Sequence, residues 1–414
     1  MFKWGLSFFL FCSIAHSRVQ FSFESLFTTE SSQVLNTSIN PSNLVFKLPT
    51  EENDADLRAE LKWSENSFLT VIRPRFSYQN QKIYNFSQHT AEIQNKNHWD
   101  LTDAFIENTW SSYLSTTLGL QVYQWGPAEF INPTNPFFHF NSQQKSLYYK
   151  EKGQALIRAN ISPNQQHNIV LVAEPVSNNE AEWQEGHNFY TKWAIKYEKS
   201  WKGTFNSLGL VTGSGENNIF FIGEYFNYSF KDSFSIYADI KHSQKKENYE
   251  PEYNGTNYDL VVSSEKTSSW PILAVSGIRY EGNFDLRLEY IYNSAGYDKQ
   301  KLSQAYQAAA NFYSLNYAQN LKRFLKPGLE MLGEQYIYTS LRIADPFKTK
   351  DFNVYGRYIY SLQDQSSQIQ AELEKSFLDA FNAFISQSYS FGTDHSEFRI
   401  LNDWRVLAGL KWNY

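Results

Sequence analysis

Trp404-Arg405-Val406-Leu407-Ala408-Gly409-Leu410-Lys411-Trp412-Asn413-Tyr414 ends the chain, and the period of this stretch decides the fold. Trp404, Val406, Ala408, Leu410, Trp412 and Tyr414 alternate with Arg405, Leu407, Gly409, Lys411 and Asn413, so a strand puts the apolar set on one face. Ten steps of about 3.3 Å, tilted by about 40°, cover roughly 25 Å between the outermost aromatics, which is the height of the lipid-facing band of a membrane β-barrel. The competing reading is the edge strand of a soluble sandwich.

The other end carries a different signal. Met1-Phe2-Lys3 has one positive charge, residues 4–14 are apolar, and Ala15-His16-Ser17 has the small-x-small spacing of a cleavage site. Residues 1–17 therefore read as a cleaved secretory signal peptide. Their apolar run is too short for a spanning helix, and no later stretch reaches the length one needs. Cys12, the single cysteine, lies inside this peptide. A mature chain without cysteine suits a bacterial envelope protein better than a disulfide-bonded extracellular one. The formal charge of −6 offers no broad basic field for nucleic acid. Aromatic residues make up 17% of a chain whose mean hydropathy is −0.53, the balance required of a wall with one lipid face and one wet face. No Pro- or Gly-rich linker divides residues 18–414, so one barrel domain is expected.

The same two-residue alternation recurs at 18–28, 57–63, 68–78 and 114–123 and onward to the C-terminus, between turns rich in Asn, Ser, Asp and Gly. At roughly 20–25 residues per strand and connection, the chain accommodates about 16 strands, within a range of about 14–18 and even in number. The expected fold is all-β: an antiparallel transmembrane β-barrel with long extracellular loops, too wide to be filled by its own side chains. Pro74 interrupts an alternating run and predicts a bulge. Polar stretches at 86–100, 174–187, 241–257 and 293–327 are candidate extracellular loops. Within the last, Leu302, Ala305, Ala309 and Phe312 have nearly helical spacing, which marks either a short loop helix over 301–320 or a plain surface loop.

Residues 118–136 form the most distinctive interior stretch. A strand stops at Gly126-Pro127, and Asn132-Pro133-Thr134-Asn135-Pro136 imposes turns, because the residue before each proline is held extended. Gly119, Gln121, Trp125, Gly126, Asn132, Pro133, Thr134 and Asn135 match a Gly-x-Gln, Trp-Gly, Asn-Pro-Thr-Asn pattern. This pattern resembles porin-like bacterial outer-membrane barrels of the alginate-export type, although Leu120 stands where those proteins often have Arg. The resemblance covers about twenty residues and the tail, and it implies architecture rather than substrate. The tail, with Gly409, Trp412 and Tyr414, is similar to the C-terminal signal read by the barrel-assembly machinery of Gram-negative bacteria. Leu407 departs from the polar residue usual there. Trp404, Trp412 and Tyr414 are thus the candidate membrane anchor and assembly signal. For Trp125, Gly126, Pro127, Asn132, Pro133 and Asn135 two readings stand: an inward fold that narrows the pore, or a tight turn packed at the rim.

Setting the greasier face of each strand toward lipid turns Arg58, Arg73, Arg75, Arg158, Arg279, Arg287, Arg342, Arg357 and Arg405 inward, together with Asp285 and Glu289. These are the candidate pore-lining residues. The bland cause is that a charge on the lipid face at midplane costs about 2–4 kcal/mol, so arginines face inward whatever the pore carries. Glu60 and Glu372 share the wet side, so cross-strand ion pairs are one expectation and an anion-selective constriction the sharper one.

Enzymatic signatures are missing from the sequence. The histidines are scattered without zinc-ligand spacing, there is no Gly-x-Ser-x-Gly elbow, and no cofactor or metal is expected. The reading is a non-enzymatic channel of the bacterial outer membrane for small hydrophilic or amphipathic solutes. Lipid, lipopolysaccharide and the assembly machinery are its expected partners, and a homotrimer is an open question. Two alternatives are a polysaccharide export or assembly barrel that binds glycan at loop aromatics within 80–110 and 183–190, and a barrel hydrolase.

Overall fold

The computed structural model describes residues 18–137, 152–176, 191–201, 206–215, 218–231, 233–245, 249–262, 270–324, 331–377 and 380–414. The signal peptide expected at 1–17 and most of the loop expected at 174–187 lie outside them. The chain runs through β1 (Arg18–Val34), β2 (Pro49–Glu65), β3 (Phe68–Asn85), β4 (Thr90–Ser111) and β5 (Leu114–Gln121). After an inserted segment come β6 (Gln154–Asn164), β7 (His167–Glu174), β8 (Lys192–Ser200), β9 (Ser207–Ser214), β10 (Phe220–Lys231) and β11 (Phe234–Ser243). A small hairpin, β12 (Tyr249–Tyr253) and β13 (Tyr258–Val262), precedes β14 (Ile272–Glu281) and β15 (Asp285–Asn293). Helices α1 (Lys299–Ala310) and α2 (Tyr317–Phe324) lead to β16 (Gln335–Ala344), β17 (Phe352–Ser361), β18 (Ser367–Phe377), β19 (Phe381–Phe391) and β20 (Asn402–Asn413).

Apart from the β12–β13 hairpin, every strand pairs antiparallel with its neighbours, and β20 returns to β1, so eighteen strands form one closed sheet. The seam runs from Glu24 opposite Asn413 to Val34 opposite Asn402. Phe23 and Tyr414 finish it by exchanging backbone hydrogen bonds of 2.9 and 2.8 Å. Around the same rim, outward rings of successive hairpins touch: Phe381 stacks on Trp412 at 6.1 Å, Phe230 on Phe234 at 5.9 Å, and Tyr280 meets Phe234 and Phe284 at 4.9 Å each. Such a ring belt is what the edge of an apolar band requires.

The strand count exceeds the expected sixteen because residues 86–100 are not a loop. Most of them belong to β4, which pairs with β3 from Asn85–Thr90 down to Phe68–Asn108. This half of the hairpin is polar on both faces, as a ribbon standing in water can be, so it lacks the alternation that betrays the other strands. Pro74 sits where the β3–β4 register slips, since proline cannot donate to the ladder. The stretch at 241–257 is likewise no simple loop; it completes β11 and starts the β12–β13 hairpin.

The two rims differ. One has short turns, while the other carries the long connections, including both helices and the small hairpin. There Leu302, Ala305 and Ala309 of α1 pack with Leu260, Leu321, Phe324 and Ile39 into a separate small core. The helical spacing was thus real over 299–310, but Phe312 lies in the break between the helices and is exposed.

Gly119 adopts a φ of +125°, and a Cβ there would overlap the carbonyl oxygen of Ala104 on β4. Gly119→Ala is expected to destabilise the barrel by about 1–3 kcal/mol, lowering the urea midpoint at which the heat-sensitive folded band disappears on a gel. Gly356→Ala, where a Cβ would meet nothing, is expected to leave it unchanged.

Candidate functional site: the inward face and the segment at 122–137

Beyond β5 the chain does not run over the rim but turns into the cylinder. Gly126, at φ +99°, makes the turn, and a Cβ there would collide with Asn132 and Asp239. The Asn132 side chain accepts from Ala128 N at 3.1 Å, and the Trp125 indole donates to Thr134 Oγ1 at 3.2 Å, so the proline-rich coil is internally tied. Its apolar side chains cover the wall. Trp125 and Phe137 pack on Leu156, Val170, Val172, Ala194 and Val211 of β6–β9, while Phe130 and Ile131 pack on Tyr237, Val275, Ile291 and Tyr338. A coil that touches strands from β6 to β16 can only lie against the concave side of the sheet.

Two carboxylates fasten it. Glu289 of β15 accepts from the backbone N–H of Glu129 at 2.6 Å and of Phe130 at 3.0 Å, and from the Tyr237 hydroxyl at 2.8 Å. Asp239 of β11 accepts from Thr134 N at 2.9 Å and Thr134 Oγ1 at 3.1 Å. Glu129 itself points back into the wall, accepting from Ser340 at 2.7 Å and Tyr338 at 3.2 Å, with Arg287 at 3.3 Å. Pro133 and Asn135 are buried within this coil and Asn132 and Pro127 partly so. The segment therefore packs along the inner face of the sheet. Asp239 and Glu129 were not singled out from sequence. Alternation turns Asp239 inward, yet nothing local tells an anchor from any other inward acid.

The arginine and acid candidates share the inner face, and most are paired. On the wall opposite the coil, Arg58 meets Glu24 at 3.2 Å and also Asp56, and Arg75 meets Asp56 at 2.9 Å. Arg73 bridges Glu60 and Asp103, and Arg405 meets Glu30 at 2.6 Å. Beside the coil, Arg279 binds Asp285 at 2.7 Å and Glu281 at 2.9 Å, and Arg287 shares Asp285 at 3.6 Å. Arg158 donates to Thr117 at 2.9 Å and lies over the Tyr123 ring at 4.5 Å. Arg357 reaches Gln370 at 3.4 Å. Arg342 stacks on Tyr355 at 5.3 Å and, among the described residues, has no carboxylate partner. Trp404, Trp412 and Tyr414 lie on the outward face of the seam strand, between Gln33 or Tyr389 at one end and Phe23 at the other. Histidines are dispersed, and no group of three His, Cys, Asp or Glu side chains fit to hold a metal occurs among the described residues.

The long-loop rim has its own half-buried acid. Glu397, between β19 and β20, accepts from the Tyr336 hydroxyl at 2.5 Å and from Leu332 N at 3.1 Å, while its own N–H donates to Asp364 at 2.7 Å. Burial pushes its carboxyl up to about 7, against the hydrogen bonds from Tyr336 and the backbone.

No family model matches the sequence, and no curated protein matches it. Solved structures do. OccK7 (OpdD) of Pseudomonas aeruginosa superposes with a TM-score of 0.54 at 8% identity, over 96% of this chain and 99% of that one. OccAB3 of Acinetobacter baumannii gives 0.53 at 9%, over 97% and 100%. OccK2 (OpdF) of Pseudomonas aeruginosa, solved in complex with glucuronate, gives 0.52 at 8%, over 95% and 98%. The chain shares a porin-like β-barrel fold with them across almost its whole length.

Removing the Glu289 carboxylate strands two N–H donors at about 1–3 kcal/mol each. Glu289→Ala is therefore expected to speed hydrogen exchange at the Glu129 and Phe130 amides by about tenfold or more, with the sheet amides unchanged. For Glu397, a carboxyl held above its free value of 4.5 binds its proton more tightly in the closed rim than in an opened one. Closure is then fully favoured below about 4.5 and weakens as pH rises through about 7. Exchange at the amides of 396–398, corrected for intrinsic rate, is expected to rise over that interval and to stay flat in Glu397→Gln.

Proposed function

We propose that this protein is an outer-membrane channel for passive or facilitated diffusion of small hydrophilic or amphipathic solutes, with no catalytic role. One observation carries the reading: eighteen strands close on themselves, and a fastened coil at 122–137 lies along one wall of the interior. A barrel of this width leaves an aqueous lumen, and a coil on one side narrows without filling it. The outward apolar face, its aromatic belt and the contrast between short turns and long loops support placement in a bacterial outer membrane with the long loops outside. The alginate-export likeness of 118–136, the cleaved peptide at 1–17 and the assembly role of Trp404, Trp412 and Tyr414 belong to the same proposal. So do contacts with lipopolysaccharide.

The chemistry of the lining bears on selectivity. Arg58, Arg73, Arg75, Arg279, Arg287 and Arg405 each have a carboxylate partner, so their fields are largely cancelled locally. The strong anion filter that an arginine-lined barrel invites is therefore reduced to a mild preference. Neutral, polar solutes and small acids both fit such a lining.

Planar-bilayer recording tests the proposal. The purified chain is expected to give stepwise ohmic conductance, with a reversal potential under a tenfold salt gradient that is a small fraction of the roughly 59 mV of an ideally selective pore. Arg342→Glu is expected to move that potential toward cations. A protein that inserts without conducting would remove the channel reading.

A further inference from the structure

The long-loop rim holds a cleft that the channel reading does not use. It has a volume of about 430 Å³ and lies between the loop after β1, the β12–β13 hairpin, α1 and the loop before β20. Its rings are Tyr253, Tyr258, Tyr306 and His395, and its amides include Asn257 and Gln307. Among the described residues, no Lys, Arg, Asp or Glu lines it. This separates it chemically from the lumen, whose inner face is crowded with ion pairs.

We propose that this cleft is a binding site for neutral sugars. A sugar ring has an apolar C–H face and a rim of vicinal hydroxyls, so it needs aromatic rings set at an angle to each other and amides that can donate and accept at once. Tyr253 and Tyr258 meet at 5.4 Å and 59°, and Tyr306 and His395 at 4.5 Å and 69°, which gives two walls of angled rings. Among the described residues, the Asn257 and Gln307 side chains make no hydrogen bond of their own, so their polar atoms are free for a ligand. Among the described residues, the carboxylates nearest it already have partners. Asp259 accepts from Asn254 at 2.7 Å, Asn320 at 2.9 Å and Asn316 at 3.1 Å, and Asp394 pairs with Arg399 at 3.0 Å. A charged ligand would find no counterion here and would lose its hydration without return.

The walls are also fixed before any ligand arrives. The hairpin is pinned to α2 by Asn320, which donates to Asp259 and accepts from Leu260 N at 3.0 Å, and Tyr297 donates to Tyr249 O at 2.6 Å. Tyr306 is held by Asp394 O at 2.9 Å and contacts Ser38 Oγ at 3.1 Å. A volume of this size is ordinary for a small-ligand pocket, and a preformed pocket spends little on ordering. Tyr253, Gln307 and His395 reach solvent, so the site is open from outside. The proposal stands whether or not the barrel conducts.

The test uses the full barrel in detergent with cellobiose and maltose as probes, read by saturation-transfer NMR and calorimetry. A Kd on the order of 1 mM is expected, as suits a shallow site for a small polar ligand. Tyr253→Ala with Gln307→Ala is expected to weaken binding about tenfold or more, and the uronic-acid counterpart of the sugar to bind more weakly than the neutral one. Both substituted side chains are exposed, so the variant should fold like the parent, which heat-dependent gel mobility checks. Three outcomes each overturn the site: no saturation transfer at about 50 mM sugar, equal binding by parent and variant, or uronate bound as tightly as neutral sugar.

Discussion

A sheet that is apolar on one side cannot end. In a membrane, where the proposed function puts this barrel, each edge strand would leave a row of backbone N–H and C=O groups facing hydrocarbon, at several kcal/mol apiece, so the structure depends on β20 finding β1. The last residues of the chain do this work. Phe23 and Tyr414 exchange backbone hydrogen bonds, Gly409 leaves room for the ring of Phe384, and Trp412 reaches the rings of Phe23 and Phe381 on either side of it. Closure and the aromatic belt are therefore built from the same segment.

Closing eighteen strands makes a cylinder too wide to pack, and the interior has to be managed by other means. Two devices do so. The coil at 122–137 occupies one wall, where its own apolar side chains bury those of β6–β16 and the carboxylates of Glu289 and Asp239 take up N–H groups that a coil cannot satisfy internally. Along the opposite wall, arginines and acids neutralise one another across neighbouring strands. Asp56, for instance, serves both Arg58 and Arg75. A charge facing a partly enclosed lumen is cheaper with a partner than alone, and such pairs also fix register between strands. Among the described residues the inner wall opposite the coil is polar, and most of its arginines are paired.

The rims follow a different logic. Short turns are enough where hairpins simply reverse, whereas the opposite rim supports two helices, a separate hairpin and a core centred on Leu260, Leu302 and Ala305. This core makes the rim a structured cap rather than a fringe of loops, which is why a preformed cleft and a half-buried Glu397 can exist there at all.

The two-residue period was legible throughout the strands with one apolar and one polar face, because there each side chain belongs to one environment or the other. It placed the seam strand and the all-β antiparallel barrel, though not its strand number. Where both faces of a strand are wet, as in the first half of β4, the choice disappears and so does the signal. The sequence also marked 125–136 as rigid, through its glycine and prolines, but not where it goes. That depended on Asp239 and Glu289, more than a hundred residues away along the chain and on separate strands, and only their convergence in the folded barrel brings them to the coil. Alternation is local, and the sequence alone determined it; partnership between distant charges and the meeting of four separate segments at one cleft are long-range, and only the tertiary structure decided them.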